Sequence, residues 1–129
     1  MKRGFACGVF DLFHAGHVLM LQECRENCDY LIVALNTATN LGPDKNQPIY
    51  SIEQRVIILE ACRYVDEVIT YSTEDELTEL LASLNLGIRF LGDDYRIKPI
   101  TAPHLDIPLY FVNRDHGWSS SKIREKIDR

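Results

Sequence analysis

Tyr30-Leu31-Ile32-Val33-Ala34-Leu35 is an unbroken apolar run of strand length. A strand with one wet face alternates apolar and polar residues, whereas a run with no polar position is covered on both sides, the habit of a parallel sheet between helices. The rest of the chain supplies such a sheet. Arg3 to Val9 predicts a first strand, followed by a helix from about Gly16 to Asn27 with Val18, Leu21, Cys24 and Cys28 along one stripe. Ser51-Ile52-Glu53-Gln54 is a capping box that opens a second helix, continuing to about Arg63. Glu67 to Tyr71 is a third strand. Thr73-Glu74-Asp75-Glu76 caps a third helix, which ends near Asn85 with Gly87 as its stop. Arg89-Phe90-Leu91 is a short fourth strand, Pro108 to Val112 a fifth, and a last helix begins at about Ser119 or Ser120. The expected fold class is α/β, a single Rossmann-like domain spanning residues 1–129 with a five-stranded parallel sheet and helices on both faces.

In such sheets ligands bind outside the carboxyl ends of the strands, where the strand order reverses. Gly8, Asn36, Gly92 and Asn113 fall there, as does a polar loop from Asn36 to Tyr50 that is long for a compact domain. The densest chemistry lies at the first of these ends, Gly8-Val9-Phe10-Asp11-Leu12-Phe13-His14-Ala15-Gly16-His17. Two glycines let the backbone approach a ligand closely. The N–H groups opening the following helix make a seat for phosphate. His14 and His17, three apart at that helix start, can aim N–H donors at the same oxygens. Asp11 fits a turn-fixing carboxylate better than a base. A single histidine here would be read as structural, and a metal site from His14, His17, Cys7 and Cys24 is the competing account. Metal-ligating cysteines come in tighter pairs, so the glycines, the helix start and both histidines together favour phosphate.

This turn resembles the GxFDxxHxGH signature of the cytidylyltransferases within the HxGH nucleotidylyltransferases. The resemblance implies nucleotide contacts from Gly8, Val9, Phe10, Asp11, Ala15 and Gly16, and catalytic roles for His14 and His17. Val9 stands where threonine is frequent in the family, which removes one hydroxyl. Arg114-Asp115-His116-Gly117-Trp118-Ser119-Ser120-Ser121-Lys122-Ile123-Arg124 is similar to the family's RTEGISTTKI motif. It keeps Arg114, Gly117, Ser119, Lys122 and Ile123, and replaces Thr-Glu by Asp115-His116, Ile by Trp118 and both threonines by Ser120 and Ser121. By that likeness Arg114 is catalytic, and Gly117, Trp118, Ser119, Ser120 and Ser121 hold the nucleotide; without it the segment is a serine N-cap with a solvated basic face. Arg63-Tyr64-Val65-Asp66-Glu67 is similar to the family's RYVDE segment, which carries a CTP contact to Arg63. An arginine meeting a helix dipole is the alternative there. Likeness to the bacterial glycerol-3-phosphate cytidylyltransferases runs along essentially the whole chain and adds Asp94 as a base or ribose contact. The family's lysine-rich segment is reduced to Lys45, the expected remaining catalytic cation, so the acceptor phosphate is assigned to Arg55, Arg96 and Lys98.

The resemblance thus implies an enzyme that converts CTP and a phosphorylated alcohol, with glycerol 3-phosphate as the best guess, to a CDP-alcohol and pyrophosphate. Mg²⁺ or a similar divalent ion would accompany the triphosphate. No carboxylate stands out as its ligand. An ATP-using adenylyltransferase for sugar phosphates shares the first motif, and a non-catalytic nucleotide-binding protein shares the fold. The family is typically homodimeric. A net charge of −5 argues against nucleic acid as a partner. No apolar run reaches the roughly 18 residues of a membrane span, and Asp11 interrupts the N-terminal apolar stretch too early for a signal peptide. Cytoplasm is therefore expected, with Cys7, Cys24, Cys28 and Cys62 reduced.

Overall fold

The computed structural model describes residues 1–38, 47–96, 99–112 and 120–127. Asp94, Ser120 and Ser121 have a placed backbone within this set. Their side chains, and the whole of Lys45, Lys98, Arg114, Gly117, Trp118 and Ser119, lie outside the described residues.

Strand β1 (Arg3–Gly8) leads to helix α1 (Ala15–Glu26), β2 (Tyr30–Asn36), α2 (Ile52–Ala61), β3 (Glu67–Tyr71), α3 (Glu74–Ser83) and β4 (Ile88–Gly92). A single 3₁₀ turn (Asp93–Arg96), strand β5 (Leu109–Val112) and helix α4 (Ser120–Ile127) follow. The strands form one parallel sheet in the order β3-β2-β1-β4-β5. The chain builds outward from β1 to β3, then crosses back to place β4 on the other side of β1. The switch point therefore lies between β1 and β4.

Burial explains the opening run of β2. Leu31, Val33 and Leu35 pack with Leu21 and Cys24 of α1 and Leu59 of α2, while Ile32 and Ala34 pack on the opposite face with Leu77 and Leu81 of α3. All five are fully buried, which leaves no room for a polar position. Glycine at position 4 is required by the packing between β1 and its surroundings. A Cβ there would stand 2.7 Å from the Phe90 ring and 2.8 Å from Cys28 Sγ.

Helix boundaries follow local chemistry. Ser51 caps α2 as expected, accepting from Gln54 N while the Gln54 side chain accepts from Ser51 N. The helix stops at Ala61, short of Arg63. Thr73 caps α3 through Glu76 N. Its stop differs from the sequence expectation: Asn85, at φ 55°, takes the left-handed position. Gly87 serves close packing instead, since a Cβ there would lie 2.9 Å from Lys2 Cγ. Among the described residues no helix is long and apolar enough to cross a membrane.

Candidate active site

The link between β1 and α1 carries its turn on non-glycine residues. Phe10 and Leu12 both adopt left-handed backbone, at φ 52° and 49°, although β-carbons disfavour it. Three interactions hold it. Phe10 and Leu12 are each only 7% exposed, so their side chains are anchored. The buried Asp11 carboxylate accepts from Ile49 N at 2.7 Å and Tyr50 N at 2.8 Å. Arg55 donates to Val9 O at 3.0 Å, Asn36 O at 3.1 Å and Tyr50 O at 3.2 Å.

Those contacts bear on two expectations. Arg55, assigned to the acceptor phosphate, is 3% exposed and ties three backbone carbonyls together beside Asp11. Burial lowers the pKa of its guanidinium and the Asp11 carboxylate raises it. Asp11, read from the sequence as a turn-fixing carboxylate, holds the segment that enters α2 with both carboxylate oxygens. The pair straps the β1–α1 turn to the next helix.

The histidines are placed by a capping box of unusual composition. His14 is the N-cap of α1, and its Nδ1 accepts from Gly16 N at 2.9 Å. His17, at the third helical position, turns back so that its Nδ1 accepts from His14 N at 3.1 Å. A ring nitrogen that accepts from a backbone N–H carries no proton itself. In the neutral imidazole the proton therefore sits on Nε2 of each ring. The two ring centroids are 4.0 Å apart, and Phe13 stacks on His17 at 5.1 Å with Phe10 at 5.7 Å. The turn thus fixes two N–H donors in tautomer and in position. The backbone seat expected for phosphate is partly used by the fold: Gly16 N goes to His14 Nδ1, and His17 N and Val18 N go to His14 O. Donation passes from the helix amides to the two Nε2–H groups.

Beside this turn a cavity of about 480 Å³ crosses the carboxyl edge of the sheet. Gly8 and Val9 of the β1–α1 turn, Asn36 at the end of β2 and Gly92 at the end of β4 all line it. On one side of the sheet it reaches Met20 and Cys24 of α1, and on the other Tyr71, Glu74 and Leu77 around α3. His14 and His17 are outside its lining; they lie between Val9 and Met20, which belong to it. The volume is within the range of small-molecule sites.

Other predicted residues fall in different places. Arg96 is exposed in the turn after β4, its guanidinium 4.7 Å from the Phe111 ring centroid, and it stays at the carboxyl edge. Arg63 does not. It lies past the end of α2, exposed and over its neighbour Tyr64, where the following Asp66 pairs with Leu31 near the start of β2. That is the amino edge of the sheet, so this chain does not bring Arg63 to its own His14 and His17. Arg89, missed in the sequence, is 4% exposed on β4 and lines the cavity. Its Nη1 donates to Thr101 O at 2.6 Å. Burial lowers its pKa, and Cys7, Glu74, Tyr71 and Tyr95 nearby act to raise it. A charge inside Ile88-Arg89-Phe90-Leu91, an otherwise apolar strand, was the available signal.

A cytidylyltransferase-like family model matches residues 5–126. The glycerol-3-phosphate cytidylyltransferase of Bacillus subtilis is 32% identical over 127 residues, 98% of each chain. That of Staphylococcus aureus is 31% identical over 127 residues, 98% of this chain and 96% of the other. The bifunctional protein HldE of Campylobacter jejuni is 34% identical over 125 residues, 95% of this chain, which spans 27% of that protein's length. Among solved structures, the lipopolysaccharide core biosynthesis protein of Thermoplasma volcanium shares the fold with a TM-score of 0.75 at 23% identity, over 88% of this chain and 98% of that one. The family match runs from the first strand into the last helix, over the same turn that locks the two imidazoles, and the chain belongs to the cytidylyltransferase-like family.

Proposed function

We propose that the protein transfers a cytidylyl group from CTP to a phosphorylated alcohol, with glycerol 3-phosphate the first candidate, releasing pyrophosphate. The observation that carries this reading is the pair of tautomer-locked imidazoles at the switch-point turn. An oxygen of the acceptor's phosphate attacks the α-phosphorus of CTP in line. The new P–O bond forms as the bond from the α-phosphorus to the bridging oxygen breaks, and pyrophosphate leaves with the electron pair. A phosphate monoester is already anionic near neutral pH, so no strong base is required. Rate acceleration comes from alignment and from donors fixed where charge builds up.

The Nε2–H groups of His14 and His17 are those donors, directed at the α-phosphate and the leaving oxygens. Neutral donors suit the task because they need no proton transfer, and their Nδ1 bonds remove the reorganisation of turning a ring at each turnover. Lys45 and Arg114 add cations, and Gly117, Trp118 and the Ser119 to Ser121 helix start hold the nucleotide with Gly8, Val9 and Gly16. Asp94 takes the base or ribose, and Arg96 with Lys98 the acceptor. Among the described residues no three His, Cys, Asp or Glu side chains cluster to hold a metal ion. A Mg²⁺ companion would neutralise charge on the triphosphate, and no step here passes through a protein-held metal. A second copy completing a homodimer and a cytoplasmic setting belong to the same reading.

CTP is favoured over ATP by the relatives that match nearly end to end. Pyrophosphate release with Mg²⁺ tests this, offering CTP or ATP against glycerol 3-phosphate, phosphocholine, phosphoethanolamine and sugar phosphates. Turnover with CTP and glycerol 3-phosphate is expected. Turnover with ATP alone would replace the nucleotide, and CTP binding with no release on any acceptor would leave a nucleotide-binding protein.

A further inference from the structure

Arg89 is a buried cation for which the fold supplies little compensation. A guanidinium stays protonated in proteins, so its charge must be met by hydrogen bonds or by a counter-charge. Arg89 is 4% exposed, yet its Nε is buried with no hydrogen-bond partner. Among the described residues its side chain has one hydrogen-bond partner, the carbonyl Thr101 O. Among the described residues it makes no salt bridge. Glu74 is near enough to favour the charged form, but its carboxylate accepts from Thr101 Oγ1. An arginine left this way costs stability, and an apolar side chain of similar size would remove the cost. Structure alone gives no reason to keep it.

Its position gives one. Ile88 and Phe90 pack on the α1 side of the sheet, so Arg89, between them on β4, faces the α3 side with Phe5 and Cys7. There it lines the large cavity with Tyr71, Glu74, Tyr95 and Thr101. This lobe lies across the sheet edge from α1, whose start carries the phosphate-directed histidines. Nucleotide phosphates on the α1 side leave the α3 side to the second substrate. The lobe offers a cation, phenol hydroxyls and a carboxylate, a set that matches an oxygen-rich ligand rather than an apolar one.

We propose that Arg89 selects the acceptor: its Nε–H takes an oxygen of a phosphorylated polyol or sugar, and its charge turns away acceptors that end in an ammonium group. This rests on the transferase reading above. It assigns specificity to the second residue of a strand, not to a loop.

The test is acceptor binding and kinetics in the wild type, Arg89→Met and Arg89→Lys. Glycerol 3-phosphate, glucose 1-phosphate and phosphocholine serve as probes, and near-UV circular dichroism reports folding. In Arg89→Met the Kd and KM for the phosphate that the wild type prefers should rise roughly ten- to hundredfold, with the Kd for CTP unchanged. Phosphocholine should bind the wild type at least tenfold more weakly, and that gap should narrow in Arg89→Met. If Arg89→Met does not fold, Arg89→Lys decides, because it keeps the charge and loses the Nε–H; acceptor KM should rise while kcat holds within about threefold. An unchanged acceptor Kd, an equal loss of CTP binding, a wild type preferring phosphocholine, or a wild type that binds none of the probes would each overturn the assignment. Absence of pyrophosphate release with every acceptor would end the transferase reading alone, since the Kd comparison still reports on Arg89.

Discussion

His17 has one duty in the structure and a second in the proposed reaction, and they can be separated. Its Nδ1 closes the capping box at the start of α1, and its Nε2–H would be one of the two phosphate donors. Replacing His17 by Ala removes half of the capping box and the ring packed between Phe10 and Phe13. Such a cap with partial burial is worth about 1–2 kcal/mol, which for a chain of this size lowers Tm by about 4–7 °C. Loss of a fixed donor lowers kcat by about 10²–10³. His17→Gln distinguishes the duties. Glutamine at the third helical position is an ordinary capping-box partner, as Gln54 already demonstrates at Ser51. It should return Tm to within about 2 °C of wild type while leaving kcat at least about a hundredfold down, because an amide that bends back to the cap no longer presents a donor at the Nε2 position. Scanning calorimetry and single-turnover pyrophosphate release measure the two effects. Nitrogen-15 NMR of the imidazoles adds a direct reading of the tautomer, with Nδ1 bare in the neutral form of each ring. Wild-type Tm in His17→Ala, near-wild-type kcat in His17→Gln, or a neutral ring protonated on Nδ1 would each refute the reasoning.

Asp11→Asn keeps the shape of the strap but turns one carboxylate acceptor into an amide donor facing a backbone N–H, and it removes the negative charge beside buried Arg55; about 2–4 kcal/mol should be lost in urea unfolding, and a loss under about 1 kcal/mol would count against the strap. Gly4→Ala should cost about 1–3 kcal/mol by crowding the Phe90 ring and Cys28 Sγ, and an unchanged midpoint would show that β1 has room to shift. Burial raises the Cys24 thiol and the Tyr71 phenol above their ordinary values of 9.0 and 10.0. Both groups are neutral in folded and unfolded chains at lower pH, so their stabilisation is complete below about pH 9 and declines as pH climbs toward the raised folded values. Tm measured from about pH 7 to 11 should stay level and then fall; a Tm that rises past pH 10 would contradict this burial.

What the sequence disclosed, and what it did not, divides by the range of the physics. The apolar run of β2 revealed a sheet covered on both faces because burial acts residue by residue along a strand. Ser51 with Gln54 and Thr73 with Glu76 revealed their helix starts because a cap is complete within four residues. The sheet edge that gathers Gly8, Asn36 and Gly92 was legible from strand direction alone. Arg63 was not, since its motif names a residue type and not an end of the molecule; only the path of α2 shows that it reaches the amino edge. Arg55 looked like a ligand-binding cation because its carbonyl partners, Val9 and Asn36, lie 46 and 19 residues away in sequence. Long-range compensation of that kind decides whether a charge serves the fold or the ligand.

The strain at Phe10 and Leu12 belongs to this balance. Left-handed backbone at a bulky residue costs on the order of 1–3 kcal/mol, and glycine at either position would relieve it. Keeping side chains there exchanges backbone ease for anchorage, because each ring or isobutyl group is buried where a glycine would leave the turn untethered. Asp11 lies between the two strained residues and is bonded to Ile49 and Tyr50, so the turn is held from inside by packing and from outside by the entry to α2. A turn fixed at both ends gives His14 and His17 their spacing before any ligand arrives. The energy is spent at folding, once, instead of at each encounter with substrate. On that view the sheet and its two apolar layers supply the stability that tolerates the strain, and the proposed reaction uses the strained turn to convert that stability into catalytic geometry.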